Sequence, residues 1–291
     1  MKAGTALRTC AVRKGSLIMF NLLTMEFCHF VVGERSEKES VMTKHALLDI
    51  RWQRLWRTVA LAAVIFACAI SPRPLLAQST AGAMKIGIIG SGNIGGTVGE
   101  LWVKAGHQVL FSSRNPEQLK PLVDKLGPLA RAGTVKEALA FGDAILIAVP
   151  YGAIPQIGRD YAADFAGKIV LDATNAVLAR DGEVAKEARE VGVGITSAKY
   201  LRGARIVRAL NLMSFRRLAS NANRAGERMA IPIGGDDPEA LKVASRLVRD
   251  AGFDPVVVGS LERTKLFAQG GPLYGQEISA REMQERLKTF K

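Results

Sequence analysis

A doubly wound α/β fold, with a mostly parallel sheet and helices on both faces, is what this 291-residue sequence predicts. Three observations carry that reading. Short β-rich apolar runs alternate with stretches of helical character from residue 85 onward. The first run passes directly into glycines at 90, 92 and 95. Two later runs, residues 143–150 (DAILIAVP) and 168–172 (KIVLD), lack the polar alternation of a half-exposed strand, as strands buried on both faces do.

Residues 85–89 (KIGII) are the first strand, and 94–105 read as a helix stopped at Gly106. Between them, Gly90, Gly92 and Gly95 complete G-x-G-x-x-G in the setting that gives the pattern meaning, strand then tight turn then helix. Gly90 permits the turn, Gly92 lets a pyrophosphate approach the backbone, and Gly95 lets helix and sheet pack closely. The helix start supplies free N–H groups and the positive end of its dipole. This is the dinucleotide-binding turn of a Rossmann-type unit, and it makes Gly90, Ser91, Gly92, Asn93, Ile94 and Gly95 candidate cofactor contacts.

The second strand, 107–111, runs into Ser112-Ser113-Arg114-Asn115-Pro116. An NAD-binding chain presents Asp or Glu here to the ribose hydroxyls, and this chain has neither. Ser113 and Arg114 are donors suited to a 2′-phosphate, Arg114 through its forked guanidinium, so the expected cofactor is NADP. Residues 134–141 and 152–165 read as helical, flanking the strand at 143–150. Ligands of such sheets lie outside the carboxyl ends of the strands, which places Val149, Pro150, Tyr151, Thr174 and Asn175 along the cofactor's path. Tyr151 reads equally well as a half-buried loop aromatic.

In the second half, 205–210 is a strand and a short helix starts at Ser214. A strand at 229–233 contains Pro232, which suits an edge or a bulge. Asp237-Pro238 opens a helix that ends at Gly252, before a strand at 255–258. The organisation expected is a leader over 1–83, an NADP-binding domain over 84–200 and a small C-terminal α/β extension over 201–291.

In the leader, residues 51–77 combine spaced arginines, a 13-residue apolar run and a proline-containing exit, the grammar of a secretory signal peptide. Thirteen apolar residues are too few for a permanent membrane span. Cleavage after Ala77 and an exported or periplasmic protein are the consequences of that reading; translation from Met84 would make it cytoplasmic instead.

Of the 40 Lys and Arg and 27 Asp and Glu, 11 and 5 lie ahead of Met84, leaving 29 against 22. That balance favours anionic ligands. Residues 199–228 concentrate it: Lys199, Arg202, Arg205, Arg208, Arg216, Arg217, Arg224 and Arg228 stand against Glu227 alone, a stretch suited to an anionic acceptor or to a solvated basic face. Nucleic-acid binding is not expected, since interleaved aromatics and a reader motif are missing. Cys10, Cys28 and Cys68 all precede Met84, so residues 84–291 have no thiol chemistry, and His107 is the only histidine among them, read as structural. No metal-ligand set and no Ser-His-Asp arrangement can be assembled there.

The runs KIGIIGSGNIGG, SSRNP, AVPYGAIPQ, LDATN, VRALN and IPIGGDD resemble the NADPH-dependent deazaflavin (coenzyme F-420) reductase family, from Met84 to about residue 275. The same segment resembles the cytosolic NADPH-binding domain of six-transmembrane metalloreductases. The resemblance implies a glycine turn at Gly90, Gly92 and Gly95, a phosphate pair at Ser113 and Arg114, and hydride exchange between NADP(H) and a deazaflavin or flavin-type acceptor, a small anionic molecule. Such transfer needs stacked rings and water exclusion more than acid–base help, and no catalytic side chain is assigned. Asn175-Ala176 departs from the family's Asn-Pro, which leaves the acceptor open. The alternatives are a non-catalytic NADP-binding module, a flavin-mediated ferric or cupric reductase, and an imine or hydroxyacid reductase, whose usual long helical domain has no room here. A homodimer is compatible with all of them.

Overall fold

The computed structural model describes residues 82–290. The leader positions ahead of residue 82, including 51–77 and the Ala77 cleavage, lie outside the described residues. Among the described residues no helix is long and apolar enough to cross a membrane.

The chain runs β1 (Lys85–Ile89), α1 (Asn93–Lys104), β2 (Gln108–Ser112), a 3₁₀ turn (Pro116–Leu119), α2 (Lys120–Leu126), β3 (Ala130–Gly133), α3 (Val135–Phe141) and β4 (Ala144–Ile147). A 3₁₀ turn (Tyr151–Ala153), α4 (Ile154–Asp160), α5 (Ala162–Phe165), β5 (Ile169–Asp172), α6 (Leu178–Val191), α7 (Val193–Tyr200) and β6 (Arg205–Arg208) come next. The last part is α8 (Phe215–Asn221), β7 (Ala230–Gly235), α9 (Pro238–Asp250), β8 (Asp254–Gly259), a 3₁₀ turn (Glu262–Phe267) and α10 (Ala280–Leu287). The strands form one eight-stranded sheet in the order β3-β2-β1-β4-β5-β6-β7-β8. Every neighbouring pair is parallel except β6 with β7. Helix starts are fixed locally by capping boxes, Thr134 with Glu137 at α3 and Ser279 with Glu282 at α10, and by Asp237 accepting from two N–H groups at α9.

Successive side chains of a strand serve opposite faces. On β4, Ala144 and Leu146 join the core beneath α1 and α9, while Ile145 and Ile147 join the core beneath α4, α6 and α7. That two-sided burial is why these strands are apolar throughout. Trp102 of α1 is fully buried and its indole N–H donates to the Leu247 carbonyl of α9 at 2.7 Å, tying the first and last parts of the chain on one face. Strands on both sides of residue 200 thus hydrogen-bond into the same sheet.

Pro232 sits on β7, an interior strand rather than an edge. It is tolerated because β6 pairs only with Gly234 and Gly235, beyond the proline, and the β7–β8 register shifts between Ile233 and Gly234. Three further segments, α2 with β3, the α6–α7 pair, and α10, have no counterpart among the elements expected from the sequence.

A buried ion pair and a histidine–carboxylate hydrogen bond each join elements distant in the chain. Asp172 and Arg208 are register partners at the carboxyl ends of β5 and β6, both fully buried, with Nη1 3.0 Å from Oδ2. Nη1 also donates to the Thr174 carbonyl at 2.7 Å, and Thr174 Oγ1 donates to Asp172 Oδ1 at 2.6 Å. His107 accepts from the Met84 N–H through Nδ1 at 3.0 Å and meets Asp250 Oδ2 through Nε2 at 3.0 Å. Only the neutral ring protonated on Nε2 makes both bonds. Burial lowers the His107 pKa, Asp250 opposes that shift, and Arg246 adds to it.

Breaking the buried pair on one side leaves a carboxylate stranded, so Arg208→Leu should lower stability by about 3–5 kcal/mol. Arg205→Leu, which removes a half-exposed pair with Asp237, should cost about 1 kcal/mol or less. Urea denaturation of the two variants compares them. Because the folded-state pKa of His107 is depressed, its neutral form contributes stability above the unfolded value near 6.5. That contribution is lost as pH falls below this value. Denaturation midpoints measured from pH 7.5 down to 5 should therefore drop more steeply in the wild type than in His107→Gln.

Candidate functional site

A cleft of about 720 Å³ opens at the carboxyl ends of β1, β2 and β4. Its floor is the glycine turn. Gly90 takes a φ of +95°, and Ser91 is fastened across to β2, its N–H and Oγ both reaching the Ser112 carbonyl at 3.2 and 3.1 Å. Ser112 Oγ in turn donates to the Ile88 carbonyl at 2.7 Å, so the tops of β1 and β2 are locked together. Helix α1 starts at once, with no side chain capping it and no acidic residue in its first turn. The N–H groups of its first residues therefore lack acceptors within the helix and face an anion-favouring positive end.

The glycines divide the work. A Cβ on Gly95 would lie 2.2 Å from the Gly90 carbonyl oxygen, so this position is reserved for close packing. A Cβ on Gly92 would meet nothing within 4 Å. That open space above a bare Cα, beside uncapped N–H groups, fits a pyrophosphate. Asn93 is exposed on the first turn, whereas Ile94 packs partly against the core and Gly95 is buried.

At the end of β2, Ser113 Oγ accepts from the Asn115 N–H at 3.0 Å. Arg114 is exposed and has neither an ion pair nor a hydrogen bond among the described residues. Arg114 lines the cleft, and among the described residues no carboxylate stands at this strand end, where one would bind ribose hydroxyls. The opposite wall is Val149, Pro150, Ala153, Gln156, Ile157 and Asp160, an apolar strip with a polar end where Gln156 Nε2 donates to Asp160 Oδ1.

Tyr151 is not on this wall. It is fully buried, its hydroxyl donating to the Val193 carbonyl at 3.2 Å beside Ser197 Oγ at 3.3 Å, and burial raises its pKa above the ordinary phenol value. The 3₁₀ turn that begins at Tyr151 directs the ring into the core under α7, which corrects the sequence expectation. Thr174 is likewise consumed, bonded to Asp172 and Arg208 and 2% exposed. Asn175 stays half-buried at the carboxyl end of β5. Its Nδ2 donates to the Asn211 carbonyl at 2.8 Å, and Asn211 Nδ2 donates back to its Oδ1 at 3.3 Å.

Three participants lie outside the cofactor contacts expected from the sequence, although Asn211 closes the VRALN run. Asn211 also donates to the Phe267 carbonyl at 3.1 Å, and its Oδ1 is buried without a partner. It comes directly after Leu210, which adopts a φ of +62°, a conformation a leucine holds only under strain. Arg180 and Asp181 sit on the first turn of α6, against the loops after β4 and β5.

Four of the eight cations in the basic stretch 199–228 are paired with acids from elsewhere in the chain. Lys199 pairs with Glu187, Arg205 with Asp237, Arg208 with Asp172 and Arg217 with Glu277, while Arg224 bonds Asn221 and two backbone carbonyls. Arg202, Arg216, Arg224 and Arg228 have no ion pair among the described residues. Of these, Arg216 stacks on Phe215, its guanidinium 5.6 Å from the ring centre. Phe215 lines a shallower recess of about 350 Å³ that it shares with Ser91, Gly92 and Asn93. Among the described residues no group of three or more His, Cys, Asp or Glu is placed to hold a metal ion.

Residues 85–176, which hold the glycine turn, Arg114 and the opposite wall, match the model of the family described as NADP oxidoreductase, coenzyme F420-dependent. The metalloreductase STEAP3 of Rattus norvegicus is 30% identical over 193 residues, 64% of this chain and 36% of that protein. The Escherichia coli (strain K12) protein YjhV is 37% identical over 71 residues, 24% of this chain and half of its own. The chain thus spans half or less of the curated relatives it matches. Among solved structures, the hypothetical protein SMa0349 of Sinorhizobium meliloti superposes with a TM-score of 0.58 at 27% identity, over 68% of this chain and 95% of that one. A candidate F420-dependent NADP-reductase of Arthrobacter sp. FB24 shares the fold, with a TM-score of 0.52 at 21% identity over 62% and 86% of the two chains. The uncapped glycine turn and the acid-free end of β2 both fall within residues 85–176, the segment that is similar to the coenzyme F420-dependent NADP oxidoreductase family.

Proposed function

We propose that the protein transfers a hydride between NADP(H), held in the 720 Å³ cleft, and a deazaflavin or flavin-type acceptor. The observation that carries the cofactor half is Arg114: an exposed guanidinium with no partner among the described residues, beside Ser113, at the strand end where an NAD site needs a carboxylate. The glycine turn would hold the pyrophosphate, and Val149 and Pro150 would flank the path from adenosine to nicotinamide. Asn175 and Asn211, tied to each other, lie at the neighbouring strand ends. When bound, the nicotinamide supplies the hydride; the chain's part is to orient the rings and exclude water.

The acceptor reading rests on the family match and on the recess beside the glycine turn, which is lined by Phe215, a ring that carries the Arg216 guanidinium 5.6 Å from its centre. The likeness to STEAP3 over 193 residues supports a second reading, in which a bound flavin passes electrons onward to ferric or cupric ions. NADPH oxidation assayed with a deazaflavin, a flavin and a ferric chelate separates the readings. Turnover with a free deazaflavin or flavin supports the first. Ferric reduction that requires added flavin supports the second. NADPH binding with no turnover on any acceptor makes the chain a cofactor-binding module.

NADPH should bind more tightly than NADH, with Arg114 as the main discriminator. A charge-assisted hydrogen bond to phosphate contributes about 1.5–3 kcal/mol, and about 1.4 kcal/mol is tenfold in affinity. Arg114→Ala should therefore weaken NADPH by roughly ten- to a hundredfold and leave NADH nearly unchanged. Equal losses for both nucleotides in a calorimetric titration would show that Arg114 serves the pyrophosphate or the fold and would remove the 2′-phosphate assignment.

A further inference from the structure

The carboxylate of Asp181 joins the loops after β4 and β5, which the cofactor reading sets along the path to the nicotinamide. Its side chain is 1% exposed. Oδ1 accepts from the Gly152 N–H at 3.1 Å, in the 3₁₀ turn after β4. Oδ2 accepts from the Val177 N–H at 2.9 Å, in the loop after β5. Arg180 closes the assembly: its Nε donates to Oδ1 at 2.8 Å, its Nη2 to Oδ2 at 2.7 Å, and the same Nη2 to the Asn175 carbonyl at 2.9 Å. Burial works against the charge, but Arg180 and the two N–H groups keep the Asp181 pKa below the ordinary carboxylate value. Immediately afterwards Gly182 takes φ +57° and ψ −136°, so the first turn of α6 is set apart from the rest of that helix.

The ladder between β4 and β5 ends with Ile147 and Asp172, apart from the Ala173 N–H donating to the Ile147 carbonyl at 3.0 Å. Beyond it, Asp181 bridges the two loops. Each of its oxygens takes one backbone N–H from a different loop, and the guanidinium holds both oxygens and the backbone of Asn175. Among the described residues, Ser113, Arg114 and Gln118, which line the other side of the cleft, make no hydrogen bond to Asp181 or Arg180. We propose that Asp181, with Arg180, is a positioning residue for the nicotinamide half of the cofactor: it sets the gap between the loop at Pro150–Gly152 and the loop at Asn175–Val177 without touching the reacting atoms. This inference rests on the cofactor reading above.

Two ligands of the intact protein separate the halves. The adenosine 2′-phosphate fragment 2′,5′-ADP probes the Arg114 side alone, and NADPH probes both, with its own nicotinamide fluorescence reporting the ring's surroundings. In Asp181→Asn the amide NH₂ faces one of the two N–H groups, so one loop is released. The expected result is 2′,5′-ADP affinity within about twofold of wild type, NADPH affinity weaker by about tenfold, and a fluorescence change on binding smaller than in wild type. Arg180→Ala, whose half-exposed side chain leaves both backbone bonds to Asp181 in place, should show the same pattern with a smaller loss. With turnover in hand, deuterium transfer from 4R- and 4S-labelled NADPH should lose stereospecificity in Asp181→Asn, which a general loss of stability would not cause. If both variants lose 2′,5′-ADP and NADPH equally, or lose neither, the inference is overturned while the cofactor reading stands. If the wild type binds neither ligand, the cofactor reading falls and this inference with it.

Discussion

The architecture of the cleft depends on how closely α1 approaches the sheet. At Gly95 there is no room for even a methyl group, because a Cβ would sit 2.2 Å from the Gly90 carbonyl oxygen, and at Gly99 one would sit 2.3 Å from the Phe111 ring. Two positions one turn apart therefore press the helix onto β1 and β2. That contact sets where the helix begins: at the carboxyl edge of the sheet, with its first N–H groups directed outward over Gly92. The same helix organises the far side of the molecule. Trp102, on its third turn, carries α9 through a buried hydrogen bond to Leu247, and α9 covers β7 and β8. A displacement of α1 would disturb the anion site and the packing of the C-terminal strands together.

Electrostatics is organised around this frame by pairing. Part of the positive charge in the sequence is paired, because Glu187, Asp237, Asp172 and Glu277 each meet a cation from another part of the chain. A buried guanidinium needs an opposite charge and hydrogen-bond acceptors. Arg208 finds both in Asp172 and Thr174, at the cost of two donors, Nε and Nη2, left without partners. Arg114 is a cation the pairing leaves available inside the large cleft. A single unpaired guanidinium there is a more specific feature than the net charge of the chain.

The strands β1, β4 and β5 and the glycine turn are legible in the sequence, since two-sided burial writes an unbroken apolar run and the turn needs glycine at fixed spacing. Ser113 and Arg114 are legible because their meaning depends on position relative to a strand end. The segments that are not legible are polar and short. In β3, Ala130–Gly133, two of four residues are exposed, so no apolar signal survives. Helix α6 is interrupted by Gly182 and carries charges around most of its circumference, which erases the helical period. Asp181-Gly182 reads locally as a turn, which conceals a carboxylate whose partners lie up to 29 residues away.

What the amino-acid sequence determined by itself is the alternation of buried strands and helices, the glycine turn and the acid-free end of the second strand. All are local, arising from the steric needs of a few consecutive residues or from burial of a contiguous run. Only the tertiary structure decided which side chains reach the cleft. Tyr151, adjacent to Pro150, turns into the core because a 3₁₀ turn starts there, and Thr174 is drawn under the sheet by a buried ion pair. Asp181, silent in the sequence, is carried between two loops. The direction of a side chain at a strand end is set by which distant helix packs above it, and short-range preferences along the chain contain no record of that choice.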